Sequence, residues 1–196
     1  MTTVTDNNAS REFSIRKVTG VMNGVEYEKV WLEGYHGEGK TVHVPEGVTH
    51  IRADVFTKNG NIISVHFPST VKEMKAPFSE CESLAEVYFH GSEVIKFAHG
   101  IFSGLTSPIT VVFEGTSETF LRAMEPYTES EGYYDSGSNG GAPGFYLTYY
   151  RNTPMAHPLD DRFYITVRCL ADGKSLTLHG KHVESRYAGQ SSPYGN

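Results

Sequence analysis

Val65-His66-Phe67-Pro68-Ser69-Thr70-Val71-Lys72-Glu73-Met74-Lys75-Ala76-Pro77-Phe78 reads as a short strand, a proline stop and a return run. The same pattern recurs on both sides of it. Val42-His43-Val44-Pro45 precedes it, and Val87-Tyr88-Phe89-His90 and Val111-Val112-Phe113-Glu114 follow, their first residues 23, 22 and 24 positions apart. The likeness continues past each strand in three further columns: Val48/Val71/Val94, Ile51/Met74/Phe97 and Phe56/Phe78/Phe102. Apolar columns at a common period in the twenties are the mark of a solenoid, in which each unit is one turn of a stack.

Side chains alternate across a strand, so Val42/Val44, Val65/Phe67, Val87/Phe89 and Val111/Phe113 face one way, into the stack. The later columns turn back and close the same core. A single unit cannot bury this surface, but several stacked units can. Open stacks need caps. Asn23-Gly24 between Phe13–Val18 and Val25–Leu32 predicts a β-hairpin at the N-terminal end. Beyond the repeats, Ser117 to Met124 predicts a short amphipathic helix with Ser117 as its N-cap and Pro126 past its end. Asp172-Gly173 between Phe163–Leu170 and Lys174–His179 predicts a second hairpin.

The expected fold is therefore a repeat solenoid, β-rich with short turns and helical pieces, carrying a hairpin at each end. Residues 1–12 are expected to be disordered, 13–39 to form the hairpin cap and 40–125 the repeats. A flexible Gly/Ser/Tyr loop is expected over 126–144, a β-hairpin region over 145–182, in which Phe145–Tyr150 alternates like a strand, and a disordered tail over 183–196.

Composition excludes several classes of function. The chain has 17 Lys and Arg against 23 Asp and Glu, a net charge of −6. No basic run stands out to meet a phosphate backbone, so nucleic acid is not an expected partner. Two cysteines, Cys81 and Cys169, make no disulfide framework; they can form one bridge but read as two buried thiols. There is no run of 18 apolar residues, so no membrane insertion is expected. MTTVTDNNASREFSIRK lacks the apolar core of a secretory signal. The expected compartment is the cytoplasm, or the cell surface or exterior had a signal been removed.

The stretch from Val65 to Leu84 resembles the BspA-like leucine-rich repeat, which favours a strand ending at proline, then Val, Ile, an Ala-Phe pair, Cys and Leu. Phe78, Cys81 and Leu84 match the last three of these. Asn59 and Leu105 stand in place of Cys in the neighbouring units, and Pro77 in place of Ala. Val112 to Phe120 is similar to the family's closing unit, where Gly-Thr precedes an acidic helix. The resemblance covers about residues 40 to 124 and implies that the expected solenoid is a leucine-rich-repeat solenoid. It implies a mostly bacterial or protozoal family, some of whose members are surface proteins implicated in adhesion, and it carries no catalytic residues.

Several groupings invite a chemical reading. Gly34-Tyr35-His36-Gly37-Glu38-Gly39-Lys40-Thr41 fits the P-loop pattern of a nucleotide-binding enzyme. A P-loop must open a helix whose amides hold the phosphates, and here a strand-like run stopped by Pro45 follows at once. The segment is read as a glycine-rich turn into the first repeat. His43 and His66 fall at one repeat position, about 4.8 Å apart on neighbouring strands. They lack a third ligand, because Tyr88 and Val112 fill the next two places. No metal and no cofactor is expected. His157, Asp160 and Asp161 have no nucleophile beside them and read as a solvated turn.

What remains is the outward face of the repeat strands: Thr41/His43, Ser64/His66, Glu86/Tyr88 and Thr110/Val112. Solenoids commonly bind through such a continuous face. The expected function is a non-enzymatic binding module for a protein or glycan partner, with the loop tyrosines Tyr127, Tyr133 and Tyr134 as a weaker second surface. A structural appendage of a larger assembly is the remaining alternative.

Overall fold

A computed structural model describes residues 3–10, 12–93, 95–97, 102, 105, 107–124, 144–147 and 164–183. In chain order the strands are β1 (Thr3–Ser10), β2 (Phe13–Met22), β3 (Val25–Tyr35), β4 (Thr41–His43), β5 (His50–Ile51), β6 (Ser64–Phe67), β7 (Glu73–Met74), β8 (Glu86–Phe89), β9 (Lys96–Phe97) and β10 (Ile109–Phe113). The helix α1 (Ser117–Met124) follows, then β11 (Gly144–Leu147), β12 (Tyr164–Cys169) and β13 (Ser175–Val183). The chain winds as a β-solenoid of about three turns.

Each turn contributes one strand to each of two sheets. In the first, β4, β6, β8, β10 and β12 run parallel in that order, with β13 and β11 added antiparallel beyond β12. In the second, β3, β5, β7 and β9 run parallel. The register is the one the repeat spacing requires: Val42 beside Val65 beside Val87 beside Val111. Phe67, Phe89 and Phe113 likewise fall in one row.

The second sheet was not anticipated. Ile51, Met74 and Phe97 were expected in a returning turn, yet each ends a two-residue strand. So short a strand has no alternation to read in sequence.

Phenyl rings fill the space between the sheets. Phe67 stacks on Phe89 at 5.4 Å between centroids, Phe56 on Phe78 at 5.7 Å and Phe78 on Phe102 at 6.3 Å. Phe67 meets Phe56 and Phe78 edge to face. Such offset and T-shaped pairs add about 0.5–1.5 kcal/mol each beyond the burial of area. Cys81 and Leu84 lie in the same core. Both cysteines are free and buried. The Cys81 thiol donates to the Phe56 carbonyl one turn away, and burial pushes its pKa up to about 11. Neighbouring turns approach so closely at Gly91, where φ is +108°, that a Cβ there would lie 2.8 Å from that of Ser69.

The ends depart from expectation at several points. Residues 1–12 were expected outside the fold, but β1 pairs with the open edge of β2. The N-terminal hairpin is longer than read, turning on Asn23 and Gly24 at positive φ with Val21, Met22 and Val25 exposed at its tip. It is also not a separate cap, because Trp31 and Leu32 of β3 form the first rung of the second sheet.

At the other end the hairpin around Asp172-Gly173 forms, with a loop one residue longer than the three read between Leu170 and Lys174. Arg168 pairs with Ser175, and the Cys169 amide donates to the Lys174 carbonyl, leaving a four-residue loop. The loop is longer because the Leu170 and Ala171 amides continue onto the Phe113 and Gly115 carbonyls. Finally, the N-cap of α1 is Thr116 rather than Ser117. The Thr116 carbonyl accepts from the Phe120 amide, and its Oγ1 accepts from the Thr119 amide. The Ser117 amide and hydroxyl instead donate to Asp172 Oδ2 across 55 residues of sequence.

Candidate functional site

Alternation places the even-numbered residues of β6, β8 and β10 on the outer side of the first sheet, with Thr41 and His43 of β4 in the same rows. One row runs Thr41, Ser64, Glu86, Thr110; the other runs His43, His66, Tyr88, Val112. The second row is a ladder of rings. His43 and His66 stack at 4.4 Å between centroids, and His66 and Tyr88 at 4.1 Å with only 3° between their planes. Parallel strands in register put equivalent side chains side by side, so flat rings at one repeat position stack of necessity.

A second line of groups crosses the ladder. His66 Nδ1 is hydrogen-bonded to His90 Nε2 at 3.1 Å, and His90 Nδ1 to Glu114 Oε1 at 2.8 Å. The other oxygen of Glu114 accepts the Gly91 amide at 2.7 Å. A carboxylate only accepts, so His90 donates to Glu114 from Nδ1. A neutral His90 then accepts from His66 at Nε2, and His66 Nε2 is left as an acceptor. Burial, followed by the neighbouring imidazoles of His43 and His90, keeps the His66 pKa below the usual histidine range against the pull of Glu86. The bonds from His90 and then Gly91 hold Glu114 below the usual carboxylate range. Tyr88 donates to Glu86 Oε2 at 3.0 Å, and that bond raises its phenol pKa.

His90 and Glu114 were not among the candidates from sequence. Each directly follows its strand, in the column that holds Pro45 and Pro68 in the first two turns, and so reads as a turn position. The shift from proline to polar residues in that column was the available signal.

Two expected face residues are not reachable. Ser64 is only 7% exposed, because its short side chain lies between Thr41 and Glu86 and donates to the Thr41 hydroxyl. Val112 is also 7% exposed, flanked in register by Tyr88 and Arg168. Thr41 and His43 are exposed, and His66, Glu86, Tyr88 and Thr110 are half-buried. Tyr127, Tyr133 and Tyr134 lie outside the described residues, as do His157, Asp160 and Asp161.

Gly34–Thr41 leads from β3 into β4, with no helix between. The Gly39 amide donates to the Tyr35 hydroxyl, and the Lys40 carbonyl accepts from Ile63 and Ser64. The amides of a helix N-terminus, which a P-loop needs, are not supplied here. Among the described residues no group of three or more His, Cys, Asp or Glu is placed to hold a metal ion, and no helix is long and apolar enough to cross a membrane. No family model matches the chain, and no curated protein or solved structure matches it.

Proposed function

We propose that this chain is a non-enzymatic binding module of the BspA-like leucine-rich-repeat type, engaging a protein partner through the outer face of the first sheet. The family reading is supported by the burial of Phe78, Cys81 and Leu84, the three residues that carry the resemblance, in one core.

The single observation behind the functional reading is the ring ladder His43–His66–Tyr88 with its cross-link to His90 and Glu114. These groups contribute nothing to the core, yet they are held in fixed orientation by stacking and hydrogen bonds. A rigid polar surface on a regular sheet loses little entropy on binding. Aromatic groups in such a setting are the usual energetic centres of protein interfaces. The ladder ends at β4, where, among the described residues, no further strand lies beside the outer face of the His43 ring.

The test is affinity capture from source cells with the intact chain, compared with a His66→Ala/Tyr88→Ala variant. At least one protein retained by the wild type should be lost by the variant at unchanged melting temperature. Identical capture by both would exclude this face.

A further inference from the structure

The outer face of the second sheet has a different chemistry. Its central row is Trp31, His50, Glu73 and Lys96, one residue from each of β3, β5, β7 and β9. The Trp31 indole is half-buried, with the His50 ring tilted against it at 4.7 Å. The ammonium groups of Lys29 and Lys75 stand 6.0 and 5.6 Å from the indole centroid. These distances are at the outer limit of a cation–π contact, so neither lysine is tied down by the ring. Lys72 joins them: Lys29, Lys72 and Lys75 all lie close enough to bias the His50 proton.

Charge is unevenly distributed here. Two carboxylates on this face are already paired, Glu33 with Arg16 and Arg52, and Glu73 with Lys96. Lys29, Lys72 and Lys75 have no carboxylate partner among the described residues. In a chain of net charge −6, two unpaired ammoniums at one indole, with Lys72 near the adjoining His50, form a local positive field that selects anionic ligands.

We infer that this face binds a carboxylated polysaccharide, one sugar ring resting on Trp31 and its carboxylate bridging Lys29 and Lys75. A uronic acid carries both complementary parts in one ring: an apolar C–H face for the indole and a carboxylate at its edge for the ammoniums. An acidic peptide supplies carboxylates on flexible stems and has no use for a flat apolar face. A nucleic acid repeats its charge at every phosphate and calls for a longer basic stripe than three lysines. The inference is independent of the ring ladder, which lies on the other sheet.

Titration calorimetry of the full chain with polygalacturonate at low salt tests it. Saturable binding is expected, weakening as salt rises. A Lys29→Gln/Lys75→Gln variant should bind at least tenfold more weakly at unchanged melting temperature, and Trp31→Ala should lose binding as well. Arg122→Gln, an exposed charge on α1, should bind as the wild type does. Absence of saturable binding, or wild-type affinity in the lysine variant, overturns the inference. Equal affinity for poly-glutamate overturns it too, by showing that the face reads charge and not sugar.

Discussion

His50 shows how a single side chain couples this fold to pH. Its ring packs against Trp31, its Nδ1 is hydrogen-bonded to the Thr49 hydroxyl at 2.7 Å, and the residue is only 7% exposed. Burial first, then Lys29, with Lys72 and Lys75 adding to it and Glu73 opposing, lowers its pKa below the ordinary histidine value of 6.5. The unfolded chain therefore takes up the proton before the folded one does. Stability from this group is complete above about pH 6.5 and is lost as pH falls through the folded-state pKa, with a slope of at most about 1.4 kcal/mol per pH unit. His66, lowered for similar reasons, acts in the same direction. The carboxylates held low, Glu114 and Asp172, titrate in a more acid window and stay ionised here. Melting temperature should therefore fall between pH 7 and pH 5, and His50→Gln should flatten part of that fall. An identical pH profile in the variant would show that His50 is not the group responsible.

Among the elements, α1 separates what sequence reveals from what it cannot. Its span from Ser117 to Met124 was legible, because apolar positions and a polar start mark a helix locally. Its cap was not, because Ser117 is drawn away by Asp172, a partner 55 residues later that no local rule anticipates. Thr116→Ala removes the acceptor for the Thr119 amide and should lower stability to urea by about 1 kcal/mol, the usual value of an N-cap. No change would mean that Asp172 alone secures this end of the helix.

The same contrast holds elsewhere in the chain. Val65/Val87/Val111 and Phe67/Phe89/Phe113 announced the first sheet, since a strand with one buried face writes alternation into its residues. His50-Ile51 and Glu73-Met74 are too short to do so. The likeness of His43 and His66 was visible as a shared repeat position, and the stack they form follows from it. The His90–Glu114 link was hidden in a column that opens with two prolines, and Ser64 and Val112 became inaccessible through the size of their neighbours.

At the scale of the molecule, the solenoid is a one-dimensional array in which each turn touches chiefly the turns beside it. Contacts of β4 reach β6, and those of β10 reach β8 and β12. The stability of a strand then depends on its place in the row and on the neighbours it keeps. β4 is a three-residue edge strand, whereas β6, β8 and β10 are paired on both sides. Amide exchange should accordingly be slowest in Val65–Phe67, Val87–Phe89 and Val111–Phe113, and faster in Thr41–His43.

A cavity at one end gives the sharper test of the same argument. Val167 of β12 is fully buried and lies beside Val111 of β10. Val167→Ala leaves a void at that position, costing about 1–3 kcal/mol by comparison with other buried aliphatic truncations. Nearest-neighbour coupling predicts that protection falls most in β10 and β12, less in β8, and least in β4 at the far edge. Equal loss in every strand would mean that the turns unfold as one unit, because a perturbation confined by nearest-neighbour contacts must fade with distance along the stack.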